Sequence, residues 1–116
     1  MARTSVTTQA ITRAGVVPTA SAPTAEGDII DTGGRVFLLV SNTGDASATV
    51  TIDAQATVYG LDVEDLAVTL AAGETRAIGP LPTQAFGFPK GDENAGRAFV
   101  DYTGTVADLT RSVLSL

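Results

Sequence analysis

Val36, Leu38 and Val40 alternate with Phe37, Leu39 and Ser41, so the most apolar run of the chain, Arg35 to Ser41, carries hydrophobic side chains on both faces of an extended strand. Beyond the polar break Asn42-Thr43-Gly44-Asp45, the segment Ala48 to Ala54 alternates cleanly. Val50, Ile52 and Ala54 point to one face, and Thr49, Thr51 and Asp53 to the other. The two runs predict a hairpin with one buried face. Phe37 and Leu39 are then a surplus on the opposite face, to be covered by another part of the chain or by another subunit.

The same reading extends along the chain. Thr4 to Thr12 predicts a strand with neither side strongly apolar, an edge strand or an arm ordered on a partner. Gly15 to Glu26 holds Pro18 and Pro23 among Ala, Thr and Ser and reads as an extended linker or a surface-hugging arm. Gly27 to Asp31 predicts a short strand closed by the turn Asp31-Thr32-Gly33-Gly34. Leu66 to Leu70 and Thr75 to Gly79, around Ala72-Gly73, predict a second hairpin ended by Pro80, and Leu81 to Gly96 reads as irregular. Arg97 to Thr103 turns Ala98, Val100 and Tyr102 inward. Val106 to Leu116 is a final strand with Val113 and Leu109 toward the core, or a short helix over Val106 to Leu114. Seven or eight short strands at spacings of about 8–12 residues predict an all-β fold, a single β-sandwich, immunoglobulin-like or jelly-roll. The expected division is an N-terminal arm over 1–26 and a sandwich domain over 27–116.

Composition narrows the chemistry. A chain of 116 residues forms one domain and buries roughly 60–70% of its unfolded surface. Without Cys, His or Trp it has no disulfides, thiolate nucleophiles, imidazole bases or common zinc and haem ligands, so no cofactor is expected. Catalysis would fall to carboxylates, hydroxyls and guanidinium groups. A formal charge of −6 repels phosphate backbones and anionic lipid, which argues against nucleic-acid and membrane partners. No apolar run suits a secretory leader or a membrane span, and the expectation is a soluble chain made in the cytoplasm.

Few groupings suggest a site. Asp62, Glu64 and Asp65 place three carboxylates within four residues, but without the glycine-centred spacing of a calcium loop; a solvated loop is the simpler reading. Asp92, Glu93 and Asn94 form a second acidic tip. Gly33-Gly34-Arg35 precedes a strand rather than a helix and reads as a turn, not an anion cradle. Phe86 and Phe88 flank Gly87 in a Pro-bounded loop, either as an exposed anchor or as a cap on the core. Six of the seven basic residues are Arg, which suits bidentate pairing with carboxylates. No catalytic or metal-binding residue is expected. The classes left open are a structural assembly protein, a sandwich module that recognises a cell-surface glycan or protein, and a carboxylate-dependent enzyme.

One further pattern runs through nearly the whole chain: ITRAGVVP (Ile11 to Pro18), Gly27-Asp28 followed by Gly33 to Arg35, FLLVSNTGDASATVTI (Phe37 to Ile52), AAGETRAIGPLP (Ala71 to Pro82) and a final strand pair. Taken together it resembles the small β-sandwich proteins encoded beside the major capsid gene in tailed phages of actinobacteria, which decorate the capsid exterior. The resemblance implies a cement or decoration role with the major capsid protein as partner, a homo-oligomer, as a trimer, and no enzymatic activity. It implies a place on the virion exterior after assembly in the host cytoplasm. Phage tail or fibre modules and secreted bacterial sandwich domains share parts of the pattern, which keeps a tail or cell-surface binding module as the alternative. On this reading Arg3 and Arg13 of the arm would meet an acidic capsid surface, and Phe37, Leu39, Phe86 and Phe88 are the candidate partner-binding residues.

Overall fold

A computed structural model describes residues 3–18, 21–23, 26–62, 64–88, 91–104 and 106–116. The chain is nearly all β, in two facing sheets. The first sheet has five strands in the order β1 (Thr4–Ser5), β3 (Asp28–Asp31), β10 (Arg97–Thr103), β5 (Ala48–Ile52) and β8 (Leu66–Leu70). The second has four, β2 (Thr8–Ala10), β11 (Leu109–Ser115), β4 (Val36–Asn42) and β9 (Thr75–Ile78). A separate ribbon pairs β6 (Thr57–Val58) with β7 (Leu61–Asp62). One helical turn, α1 (Thr83–Phe86), interrupts the segment that reads as irregular.

The period-two pattern positions the core. Leu38 and Val40 of β4, Val50 and Ile52 of β5, Ile30, Leu70, Val100, Leu109 and Val113 are all fully or almost fully buried between the sheets. Each such side chain stabilises the fold by about 1.5–3 kcal/mol relative to leaving it in water. The C-terminal segment forms a strand after a single 3-10 turn at Val106–Asp108, so the helical alternative is not adopted.

Two expected hairpins are instead crossings between sheets. β4 pairs with β11 and β9, whereas β5 pairs with β10 and β8. The break at Asn42 is an arch, not a hairpin turn. The cause is the Asn42 side chain, which is 3% exposed. Its Nδ2 donates to the Ala46 carbonyl at 2.8 Å and, at 3.4 Å, to the carbonyls of Leu70 and Ala71, while its Oδ1 accepts from Gly44 N at 3.0 Å. A buried amide at the end of β4 in the second sheet, bonded to the backbone of the 44–46 turn and to the end of β8 in the first, fixes the crossing. The segment from β8 to β9 likewise passes from the first sheet to the second. Thr49 and Thr51 therefore do not stand opposite Phe37 and Leu39; they lie across from Thr69 and Ala67 on the other sheet.

Seven strands of the sandwich follow residue 27, and the remaining two come from the segment read as an arm. β1 adds in parallel to β3, with Thr4 beside Asp28, and β2 adds in parallel to β11, with Thr8 beside Val113. Val6, between them, donates its amide to Ile29 O at 2.9 Å and packs on the core. Thr4 to Ala10 thus spans one open side of the sandwich and joins the edges of both sheets. In this chain the segment lies docked on its own fold.

Candidate functional site

Three of the four ion pairs among the described residues lie where the N-terminal segment meets the sandwich. Alternation in β3 turns Asp28 inward with Ile30, and alternation in β11 turns Arg111 inward between Leu109 and Val113. A carboxylate and a guanidinium face each other in the core. Arg111 Nε donates to Asp28 Oδ2 at 2.8 Å and Nη2 to Oδ1 at 3.3 Å, while the Tyr102 hydroxyl donates to Oδ2 at 2.7 Å. The second sheet is thereby tied to two strands of the first. Arg111 Nη1 also donates to Ser21 Oγ and to Ser21 O, and Ser21 and Arg111 exchange both backbone hydrogen bonds.

Burial opposes the Arg111 charge, but its hydrogen bonds to Asp28 and the nearby carboxylate outweigh that and raise its pKa. Burial, then the Asp28 charge and hydrogen bond, push the Tyr102 phenol far above its ordinary value. Arg111 therefore stays charged and Tyr102 neutral across physiological pH, and with Asp28 they form a fixed polar junction. A cleft of about 370 Å³ between β1, β2 and Ser21 reaches Arg111.

A second cluster lies on the outer face of the five-stranded sheet. Arg3 pairs with Asp101 at 2.7 Å, donates to Val100 O at 3.2 Å, and places its guanidinium carbon 4.2 Å from the Phe99 ring centroid. Phe99 in turn meets Phe88 edge-on, with centroids 4.7 Å apart. Asp53 stands beside Asp101. Partial burial first, then hydrogen bonding to Asp101 and the charges of Asp101 and Asp65, push its carboxyl up to about 6 against the opposing pull of Arg3. Arg97 completes the binding of the segment, pairing with Asp31 at 3.1 Å and donating to Ser5 Oγ at 3.1 Å and to Val6 O at 3.4 Å.

A raised folded-state pKa means that Asp53 contributes stability when protonated, fully present below its ordinary value of 3.8 and lost as pH rises through about 6. Asp53→Asn, which keeps the neutral form at every pH, is expected to stabilise the chain at pH 8 by about 1 kcal/mol after solvent screening. At pH 4 it should bring little or no gain. Urea denaturation at the two pH values checks the sign.

The partner-binding candidates are scattered rather than assembled. Arg3 is engaged within the chain, whereas Arg13 is exposed in the turn before Gly15 and makes no ion pair among the described residues. Phe37 and Leu39 are half-buried on the outer face of the four-stranded sheet. In register they stand beside Leu114 and Ser112, and Leu39 also beside Ala77. Phe86 packs on the core from α1, whereas Phe88 meets Phe99 on the outer face of the five-stranded sheet, so the two aromatics serve different surfaces. Of the acidic grouping, the Asp62 side chain lies outside the described residues, Glu64 is exposed, and Asp65 accepts the Ala54 amide at 2.8 Å. Asp92 caps its own loop by accepting the Asn94 amide. Lys90 lies outside the described residues. Among the described residues no group of three or more acidic side chains is arranged to hold a metal ion, and no helix is long and apolar enough to cross a membrane.

The sequence does not single out Asp28, Arg111 or the β6–β7 ribbon, yet each leaves a trace. Asp28 and Arg111 fall on the inward parity of their strands, and Tyr59-Gly60 is a two-residue break between short extended pieces. No family model, curated protein or solved structure matches this chain.

Proposed function

We propose that this chain is a non-catalytic structural protein of a virion, a decoration protein that binds the major capsid protein on the exterior of a phage shell and stabilises it as a homo-oligomer, a trimer. The near full-length likeness of its strand and turn motifs to such proteins is what names the class.

One structural observation supports the reading above the enzyme alternative. Among the described residues the buried charges, Asp28 and Arg111, pair with each other, while Tyr59, Leu61 and Val17 present large apolar side chains to solvent. A rigid scaffold with neutralised interior charge and exposed apolar projections suits binding to a surface. Among the described residues, the cleft that reaches Arg111 is lined by no carboxylate to pair with it as acid and base.

Cryo-electron microscopy and mass spectrometry of purified virions test the proposal. The expected result is density for a small sandwich on the outer shell, with copy number comparable to capsid subunits. A chain absent from particles, or present only at the tail, overturns it.

A further inference from the structure

The β6–β7 ribbon stands apart from both sheets and ends in an unusual turn. Tyr59 adopts φ +53° and Gly60 φ +79°, a two-residue turn whose first position is ordinarily Asn, Asp or Gly. A bulky non-glycine residue in the left-handed region is an outlier, and such strain persists where the side chain serves a purpose. Here the ring packs on nothing within the chain: Tyr59 is 101% exposed, and Leu61, two residues on, is 72% exposed. The ribbon is an apolar knob held off the body of the protein.

The same molecule carries a matching socket. Arg35, Phe37, Ala77, Pro80 and Leu116 line an apolar groove of about 330 Å³ on the four-stranded sheet, within the range of roughly 300–1,000 Å³ that receives a ligand-sized group. Leu116, at its rim, is 70% exposed. Charge distinguishes the two surfaces. Exposed Glu64 and Asp65 follow the knob, and exposed Arg35, with no ion pair among the described residues, borders the socket. The start of β4 and the end of β5 lie at the same end of the sandwich, because the Asn42 arch joins their opposite ends. Knob and socket therefore share one end of the molecule, the knob on the separate ribbon after β5 and the socket on the four-stranded sheet.

We infer that the Tyr59–Leu61 turn of one copy of this chain docks in the Arg35–Phe37–Pro80–Leu116 groove of a second copy, with Glu64 meeting Arg35 at the rim. Both halves of the contact are present on every copy, so the association is a reciprocal pair, or a head-to-tail ring where its rotation closes. In a chain of net charge −6, local complementarity at the rim offsets general repulsion between copies. The contact does not depend on what the assembled protein binds. A chain missing from virions overturns the preceding proposal and leaves this one standing.

Sedimentation equilibrium of the full chain from micromolar to millimolar concentration tests it, with Tyr59→Asn as the first variant. Asn is at home in this turn, so Tyr59→Asn should melt at the same or a higher temperature than the parent while its dissociation constant rises by about tenfold or more. Arg35→Glu should weaken association similarly, and the double variant Arg35→Glu/Glu64→Arg should restore it. A parent chain that stays monomeric throughout overturns the inference. An oligomer indifferent to Tyr59→Asn or to Arg35→Glu, or a double variant no better than Arg35→Glu alone, overturns it equally.

Discussion

Arg111→Met is expected to lower the unfolding free energy by about 3–5 kcal/mol, a loss that places a domain of ordinary stability near its limit. The side chain that remains is apolar and of similar length, so the loss is electrostatic rather than one of volume. Asp28 is 0% exposed and receives both the Arg111 guanidinium and the Tyr102 hydroxyl. Removing the guanidinium leaves a carboxylate in the core without its counter-charge. Tyr102→Phe removes one neutral donor and should cost less, about 1–2 kcal/mol. Replacing both charges, Asp28→Asn with Arg111→Met, should recover part of the loss, since a buried pair exchanged for neutral groups is often tolerated where a broken pair is not. Chemical denaturation of the four proteins checks the order. If Arg111→Met costs no more than Tyr102→Phe, the pair is not desolvated as its burial indicates.

That junction also shows how far the sequence is legible. Alternation over Leu109, Arg111 and Val113, and over Asp28 and Ile30, carries the inward direction of both charged residues. What it lacks is the partner, because the two lie 83 positions apart and no local pattern joins them. The class of fold and the core positions of β4, β5, β10 and β11 follow from period-two spacing alone, since burial of one face is decided locally. Pairing is not. Asn42-Thr43-Gly44-Asp45 has the composition of a hairpin turn, and only the burial of the Asn42 amide against Ala46 and Leu70 reveals an arch between sheets. Thr4 to Ala10 is quieter still. Strands of two and three residues, paired in parallel at sheet edges, produce little hydrophobic periodicity, so the segment reads as an arm. The binding candidates fared according to the same rule. Phe86 is drawn to the core, Phe88 to the Phe99 ring on the outer face of the first sheet, and Arg3 to the Asp101 carboxylate.

Removal of residues 1–26 is accordingly expected to cost roughly 4–6 kcal/mol, most of the margin of a small domain, rather than to trim a separable extension. The remaining chain, 27–116, would retain seven sandwich strands but lose the partner on one edge of each sheet. Val6 leaves the core, Ser21 leaves Arg111, and Arg3 leaves Asp101 and the Phe99 face. Bare edges of β3 and β11 would then offer unpaired backbone to neighbouring chains, so the truncated protein should also aggregate more readily. Hydrogen exchange adds resolution. The amide of Arg111, which bonds Ser21 O at 2.9 Å in the full chain, should lose protection in the truncated one, while Leu38 and Val40 at the centre of the second sheet lose protection only through the global decrease in stability. A truncated chain that unfolds at the same denaturant concentration as the parent would assign 1–26 to an independent arm, and the two edge pairings would then contribute nothing to the fold. With the expected loss, the segment is a staple across the open side of the sandwich. Any release of it toward a partner must then first overcome the hold of Arg3, Arg97 and Arg111.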